Sequence, residues 1–225
     1  MPIWPNWRNL FRRSLSASAL LALVLTTIVG TPAQASTINA YSYAKALATH
    51  VWASHSGYSR TQFSSGWGSI NGCDLRNIIL QRDLRNVVYK SGSSCLVQRG
   101  TLTDKYTGKV IYFVRGVSTS LAVQIDHVVA LSNAWSTGAQ KLSSATRYSI
   151  ANDPMNLLAV DGPTNSAKGD KDAASFLPPR SAYRCPYVAR QLAVKRKYHL
   201  WVTAAEKSAM VSVLSHCRTV VLPTK

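Results

Sequence analysis

Carboxylates are scarce in this chain, and most of them are gathered in one place. The 225 residues carry nine acidic side chains against 26 Lys and Arg, and five of the nine, Asp126, Asp153, Asp161, Asp170 and Asp172, fall between positions 126 and 172. A basic chain that concentrates its few carboxylates has the means to hold a hard divalent cation. Such ions prefer oxygen donors, and magnesium takes only one or two carboxylates while keeping several waters. Asp153 before Pro154 and Asp161 before Gly162 are placed to shape turns. Asp126 is different, because it stands beside His127 in the apolar run Val123–Leu131. A strand alternates its faces, so the pair cannot both point into one core, and burying either without a partner is costly. Two such residues mark a site: a carboxylate for a cation and an imidazole that can take a proton near neutral pH.

The elements that must position this pair follow from periodicity. Tyr41, Ala44, Leu47 and Val51 recur at helical spacing and predict a first helix over Ile38–His55. The Ser- and Gly-rich stretch Ser54–Gly72 reads as loop, and Leu75, Ile78, Ile79 and Arg82 predict a second helix after Cys73. Leu96–Thr103 and Lys109–Val114 read as strands joined by a hairpin turn at 104–108, with Gly108 free to take positive φ. Val123–Leu131 and Asn156–Val160 are two further strands. A turn at Asp161-Gly162-Pro163 leads to a helix that starts near Asn165 and stops before Pro178. Thr203 to Glu206 fits a capping box opening a helix with Met210, Val211, Leu214 and Cys217 on its apolar side. The mixture is α+β, in one domain.

The N-terminus is set aside from that domain. Arg8, Arg12 and Arg13 precede an uncharged, mostly apolar run over Ala17–Val29, and Ala33-Gln34-Ala35 is a small-residue cleavage pattern. Together they read as a secretory signal peptide over 1–35, too short for a membrane span; the alternative is an uncleaved anchor. The exported product is then 36–225, with no stable membrane insertion. Of the formal charge of +17, removal of the three leader Arg leaves +14, which predicts an anionic partner. All four cysteines, Cys73, Cys95, Cys185 and Cys217, lie in the exported part. An even count there predicts disulfides, and the absence of a C-x-x-C pair argues against structural zinc. Proximity favours Cys73–Cys95 and Cys185–Cys217 among the three possible pairings. Trp135 reads as core, His50 and His55 as surface or packed helix residues, and Lys195-Arg196-Lys197 as a solvated face or a nucleic-acid contact.

Three runs taken together resemble exported HNH endonuclease family proteins: I-D-H-V-V-A-L-S-N-A-W at 125–135, N-D-P-M-N-L-L-A-V-D at 152–161 and N-S-A-K-G-D-K-D at 165–172, with weaker similarity at 103–108 and 184–188. The resemblance implies a ββα-metal (HNH) core at about 121–177, embedded in a disulfide-bonded domain with additional helices and a β-hairpin. It implies that Asp126 and Asn165 ligate a divalent metal, most readily Mg2+. It also implies that His127 is the general base, that Asn156 braces the His-bearing loop and that Lys168, one helical turn past Asn165, contacts phosphate. Relatives with His at the Asn165 position make that difference an ordinary one. The function so implied is a secreted endonuclease cutting DNA, with RNA a further candidate and little sequence preference; no protein partner is implied. The competing reading is a cationic protein that coats nucleic acid or an acidic polymer without cutting it, and Asp126, His127 and Asn165 discriminate, because a pure binder has no use for them. The absence of H-E-x-x-H and G-x-S-x-G leaves little support for a metalloprotease or acyl hydrolase.

Overall fold

The computed structural model describes residues 37–224, so the signal-peptide reading of 1–35 lies outside the described residues. In chain order the elements are α1 Ala40–Ala46, β1 Ser69–Ile70, β2 Cys73–Asp74, α2 Leu75–Asp83, β3 Leu84–Tyr89, β4 Val97–Thr103, β5 Val110–Val114, β6 Val123–His127, α3 Leu131–Ser136, α4 Ser144–Ala151, β7 Leu157–Asp161, α5 Gly162–Lys168, α6 Ser181–Lys197 and α7 Ala204–Ser215. The α+β class is borne out.

Strands β6 and β7 pair antiparallel between two cores, with Ile125 opposite Ala159, Asp126 opposite Leu158 and His127 opposite Leu157. Paired residues share a face, so the hairpin has two distinct sides. Val123, Ile125, Leu157 and Ala159 face a core made with α2 and the antiparallel sheet β3-β4-β5. Leu158 and Val160 face a larger core that includes Tyr106, Trp135, Tyr187, Leu192 and Met210. All five residues of β7 are buried, as expected of a strand covered on both faces. Two disulfides, Cys73–Cys95 and Cys185–Cys217, close the cysteine inventory as proximity favoured.

Local chemistry sets the ends of the elements. Asp74 caps α2 by accepting from the Asn77 amide at 2.8 Å. Asp104 caps its own hairpin turn through Thr107 N at 2.7 Å and reaches across to Asp161 N at 3.1 Å, which ties the β4–β5 turn to the end of β7. Gly108 in that turn has φ +82°, the left-handed conformation glycine takes at no steric cost. Thr203 Oγ1 accepts from Glu206 N at 3.1 Å, but the Glu206 carboxylate turns away to Lys195, so only half of the capping box forms.

Several expectations need correction. The first helix stops at Ala46 rather than His55, because the backbone beyond it pairs with another segment: Thr49 bridges Val202, and His50 N donates to Val202 O at 3.1 Å. Val51, assigned to the helical stripe, is 86% exposed. The strand read over Val123–Leu131 ends at His127, and Leu131 opens α3. The helix expected near Asn165 begins at Gly162, capped by Asp161 through Thr164 N at 3.0 Å and helped by Pro163 in its first turn. It ends at Lys168, where Gly169 takes φ +55°. The strand β3 and helices α3, α4 and α6 were not anticipated. Lys195 does not belong to a solvated face: it is buried and paired with Glu206 at 3.0 Å, while Lys197 pairs with Asp153 at 2.7 Å. Among the described residues no helix is long and apolar enough to cross a membrane.

Candidate active site

Asp126 and His127 leave β6 on opposite faces, and the fold gives them opposite treatment. The His127 imidazole lies flat on the Trp67 ring, with centroids 5.9 Å apart and planes 8° from parallel. Trp67 is held there by its neighbour: Gly68 N donates to Asn152 Oδ1 at 2.7 Å, and a Cβ on Gly68 would fall 2.7 Å from the Tyr148 hydroxyl. A side chain at this position would have to displace the Tyr148 hydroxyl. His127 Nε2 lies 2.8 Å from the carbonyl of Ala151 at the end of α4. A carbonyl can only accept, so Nε2 carries the proton and Nδ1 presents a lone pair. Burial pushes the imidazole pKa down to about 3, and the Arg60 and Lys168 charges add to that shift against the Ala151 hydrogen bond. His127 is therefore neutral near pH 7.

Asn156 fixes the segment that follows. It is wholly buried; its Oδ1 accepts from Val129 N at 2.8 Å, and its Nδ2 donates to the carbonyls of Val129 at 3.1 Å and Ile150 at 3.2 Å. Its backbone carbonyl accepts from Val128 N. One side chain thus ties the turn after His127 to the end of α4, from which the Ala151 carbonyl holds the imidazole.

On the other face each oxygen of the Asp126 carboxylate accepts one hydrogen bond. Lys168 Nζ donates to Oδ1 at 2.8 Å and to the His127 carbonyl at 2.9 Å, and the Tyr106 hydroxyl donates to Oδ2 at 2.5 Å. Burial raises the Asp126 pKa, opposed by Lys168 and Tyr106. Burial also lifts the Tyr106 hydroxyl well above its usual range, which keeps it a donor. Lys168 itself is 0% exposed. The expected phosphate contact is accordingly corrected: its ammonium faces Asp126, and it does not line the pocket in front of that carboxylate.

That pocket, about 230 Å³, is lined by Asp126, His127, Asn165, Ser132, Asp170 and Arg60 among others. Asn165 Nδ2 donates to Gln124 Oε1 at 2.8 Å, and its Oδ1 has no hydrogen-bond partner among the described residues. At the rim Ser132 Oγ bonds Asp170 Oδ2 at 3.2 Å and His55 Nε2 at 2.8 Å. The structure thus brings Asp126, His127 and Asn165 to one cavity and sets Asn156 and Lys168 behind it.

The chain matches the family model "GmrSD restriction endonucleases, C-terminal domain" over residues 74–213. It belongs to this family. The matched GmrSD C-terminal domain starts at the cap of α2 and runs into α7, so it contains Tyr106, Asp126, His127, Asn156, Asn165 and Lys168. Arg60 and Trp67 lie upstream of it. An "Uncharacterized secreted protein" of Arthroderma benhamiae is 37% identical over 208 residues, covering 88% of this chain and 98% of its own length. No solved structure matches the chain.

Residues missed from the sequence are Arg60, Trp67 and Tyr106. The first two sit in the stretch read as loop, with no spacing to mark them; Tyr106 sits in a hairpin turn, inside the weaker similarity at 103–108. Among the described residues no three His, Cys, Asp or Glu side chains converge on one point. Asp126 at the pocket wall and the unpartnered Asn165 oxygen match the sparse oxygen set magnesium takes when most of its ligands are water. The residues fit such an ion, which would share the Asp126 carboxylate with Lys168.

Proposed function

We propose that this protein is a secreted, divalent-metal-dependent endonuclease that hydrolyses phosphodiester bonds in DNA, and in RNA as a second substrate, with little sequence preference. In this reading β6, β7 and α5 form the ββα-metal core of an HNH nuclease. The observation that carries it is the state of His127: neutral, with Nε2–H anchored to the Ala151 carbonyl and Nδ1 left as an acceptor in a pocket shared with Asp126 and Asn165.

The chemistry follows from those placements. His127 Nδ1 takes a proton from a water as the water oxygen bonds to phosphorus and the bond to the leaving sugar oxygen breaks. A pKa of about 3 is low for a base, but an incoming phosphate carries negative charge, and an opposite charge favours the imidazolium. Substrate binding therefore raises the basicity of His127 when it is needed. Trp67 and Asn156 keep the ring from turning. Arg60 at the pocket wall pairs with a phosphate oxygen, and the surplus of Lys and Arg binds the polyanion without reading bases. Asp126 and Asn165 would hold the metal, which when bound stabilises charge on the phosphate and the leaving oxygen. Lys168 and Tyr106 keep the Asp126 carboxylate in place.

The test is incubation of the exported protein with supercoiled plasmid and with RNA, with and without a chelator. Cleavage that the chelator abolishes and added Mg2+ restores is the expected result. Tight binding without cleavage under every metal condition would leave the cationic-binder reading in its place.

A further inference from the structure

A second cavity, about 350 Å³, opens beside the first and shares Ser132 and Asp170 with it as a common wall. Both linings carry two carboxylates, but they differ in cations. Arg60 stands in the first pocket, whereas no Lys or Arg lines the second. Two buried polar residues with hydrogen-bonding capacity left over are part of that lining. Asn133 is 3% exposed, and its Nδ2 has no partner among the described residues. The amide's orientation is set by Lys195, whose ammonium can only donate and lies 3.1 Å from Oδ1. Lys195 does not line this cavity, whereas Asn133 does. Asp172, 5% exposed, accepts from Ala174 N at 2.9 Å and Ser175 N at 3.2 Å on Oδ1, while Oδ2 accepts from no described residue. At the rim stands Trp52, 48% exposed, on a segment pinned by Ala53 N to Ser136 O at 2.9 Å.

An unpaired buried donor is costly unless a ligand or water meets it. The ligand that suits this lining must accept from Asn133, donate to Asp172 and lie against an indole. Asp170 and Asp172, with no Lys or Arg beside them in the lining, disfavour anions. A nucleobase meets all three requirements, because its pairing edge sets an acceptor beside an N–H and its face stacks on aromatic rings. The volume, at the low end for small-molecule sites, suits one heterocycle.

We propose that this cavity receives an unpaired nucleobase of the strand whose phosphate occupies the first pocket, so that the protein prefers single-stranded or locally unpaired nucleic acid. This rests on the nuclease reading for its strand geometry. A base held in duplex has its pairing edge occupied and its faces stacked, so it cannot enter.

The experiment uses the full exported chain carrying His127→Ala, so that cleavage does not intrude. Its affinity is measured by fluorescence anisotropy for a short single-stranded oligonucleotide and for an abasic backbone of equal length and charge. The base-bearing strand should bind about five- to hundredfold tighter, the range that stacking of one base on an aromatic ring provides. Trp52→Ala, a change at the exposed rim that leaves the core untouched, should bring the two affinities together. Asn133→Asp, which retains the oxygen facing Lys195 but replaces the donor, should remove part of the difference. Equal binding of the two strands, or a preference that survives Trp52→Ala, overturns the proposal. Plasmid cleavage without base preference would overturn this pocket alone. Base preference without cleavage under any metal condition by the unsubstituted protein would overturn the nuclease reading and leave the base pocket standing.

Discussion

Asp126 and His127 are neighbours on one short strand, both buried, yet one has both of its polar atoms engaged and the other only one of two. Asp126 has a cation on one oxygen and a phenol on the other. His127 has one nitrogen tied to a carbonyl and the second left over. The difference teaches how burial is used. A buried group engaged at every polar atom is held rigidly, and the lone pairs a carboxylate keeps are then aimed in fixed directions. A buried group with one lone pair free keeps its reactivity while losing its freedom to turn. A second comparison sharpens this. Lys195 and Glu206 form another buried ion pair, 3.0 Å long, but there Glu206 Oε1 and Asn133 Nδ2 remain unpartnered, while neither Lys168 nor Asp126 has such an orphan among the described residues. The pair near the candidate active site is the better satisfied of the two.

If that contrast reflects function, His127→Ala should have the largest effect on catalysis. Loss of a general base costs about 10²–10⁴-fold in rate, and a plasmid-nicking assay on protein shown to be folded by circular dichroism measures it. Retained full activity would remove His127 from the mechanism. The Asp126 side responds differently. Lys168→Met leaves the Asp126 charge buried without its cation, and breaking a buried pair in this way costs about 3–5 kcal/mol of stability. Urea unfolding reads the loss, and adding Asp126→Asn to the same chain should recover much of it. Lys195→Met should cost stability in a similar range without changing the cleavage rate of the folded fraction. If Lys168→Met proved no less stable than the unsubstituted chain, the ion pair would not be what holds Asp126.

The legibility of these two sides in the sequence was unequal. Asp126, His127, Asn156 and Asn165 lie in one continuous run around a hairpin and its following helix, so local pattern and a family resemblance sufficed to select them. Both disulfides followed from an even count and nearness in sequence. What local pattern could not convey was partnership across the fold. Lys168 reads as a phosphate ligand because it is one turn past Asn165, and only the packing of α5 against β6 turns it inward to Asp126. Tyr106 comes from a hairpin twenty residues upstream, and Arg60 and Trp67 from an irregular segment with no periodicity at all. The first helix was overextended for the same reason: Thr49 and His50 satisfy their backbones against Val202, 153 and 152 positions away. Helix α6 escaped notice because Pro186 interrupts its first turns and basic residues fill its end.

The His127 environment also predicts a pH effect of intermediate size. Its pKa is near 6.5 in an unfolded chain and about 3 in the fold. Between these values the unfolded chain binds a proton that the folded chain refuses, so stability rises with pH across that window and falls as pH drops through it. Going from pH 7 to pH 5 should cost about 2 kcal/mol from this group alone. Urea midpoints at the two pH values measure it, and His127→Asn, uncharged throughout, should lose that part of the slope. An unchanged slope in the variant would show that His127 is not buried as neutral imidazole.

The smallest expected effect distinguishes a ligand from a mere hydrogen-bonding residue at Asn165. Its one hydrogen bond, to Gln124 at 2.8 Å, joins two half-buried side chains, and removing such a bond costs on the order of 1 kcal/mol. Asn165→Ala and Gln124→Ala should therefore lower stability by similar small amounts, because each deletes the same bond. Their metal responses should diverge. If the unpartnered Asn165 oxygen holds the ion, Asn165→Ala should raise the Mg2+ concentration needed for half-maximal cleavage, and excess Mg2+ should restore much of the rate. Gln124→Ala should leave the Mg2+ dependence where it was, since Asn165 loses a restraint but keeps its oxygen. Magnesium titrations of the two variants in parallel decide the matter. Identical curves would assign Asn165 a bracing role beside Gln124 and leave Asp126 as the only protein ligand proposed for the cation.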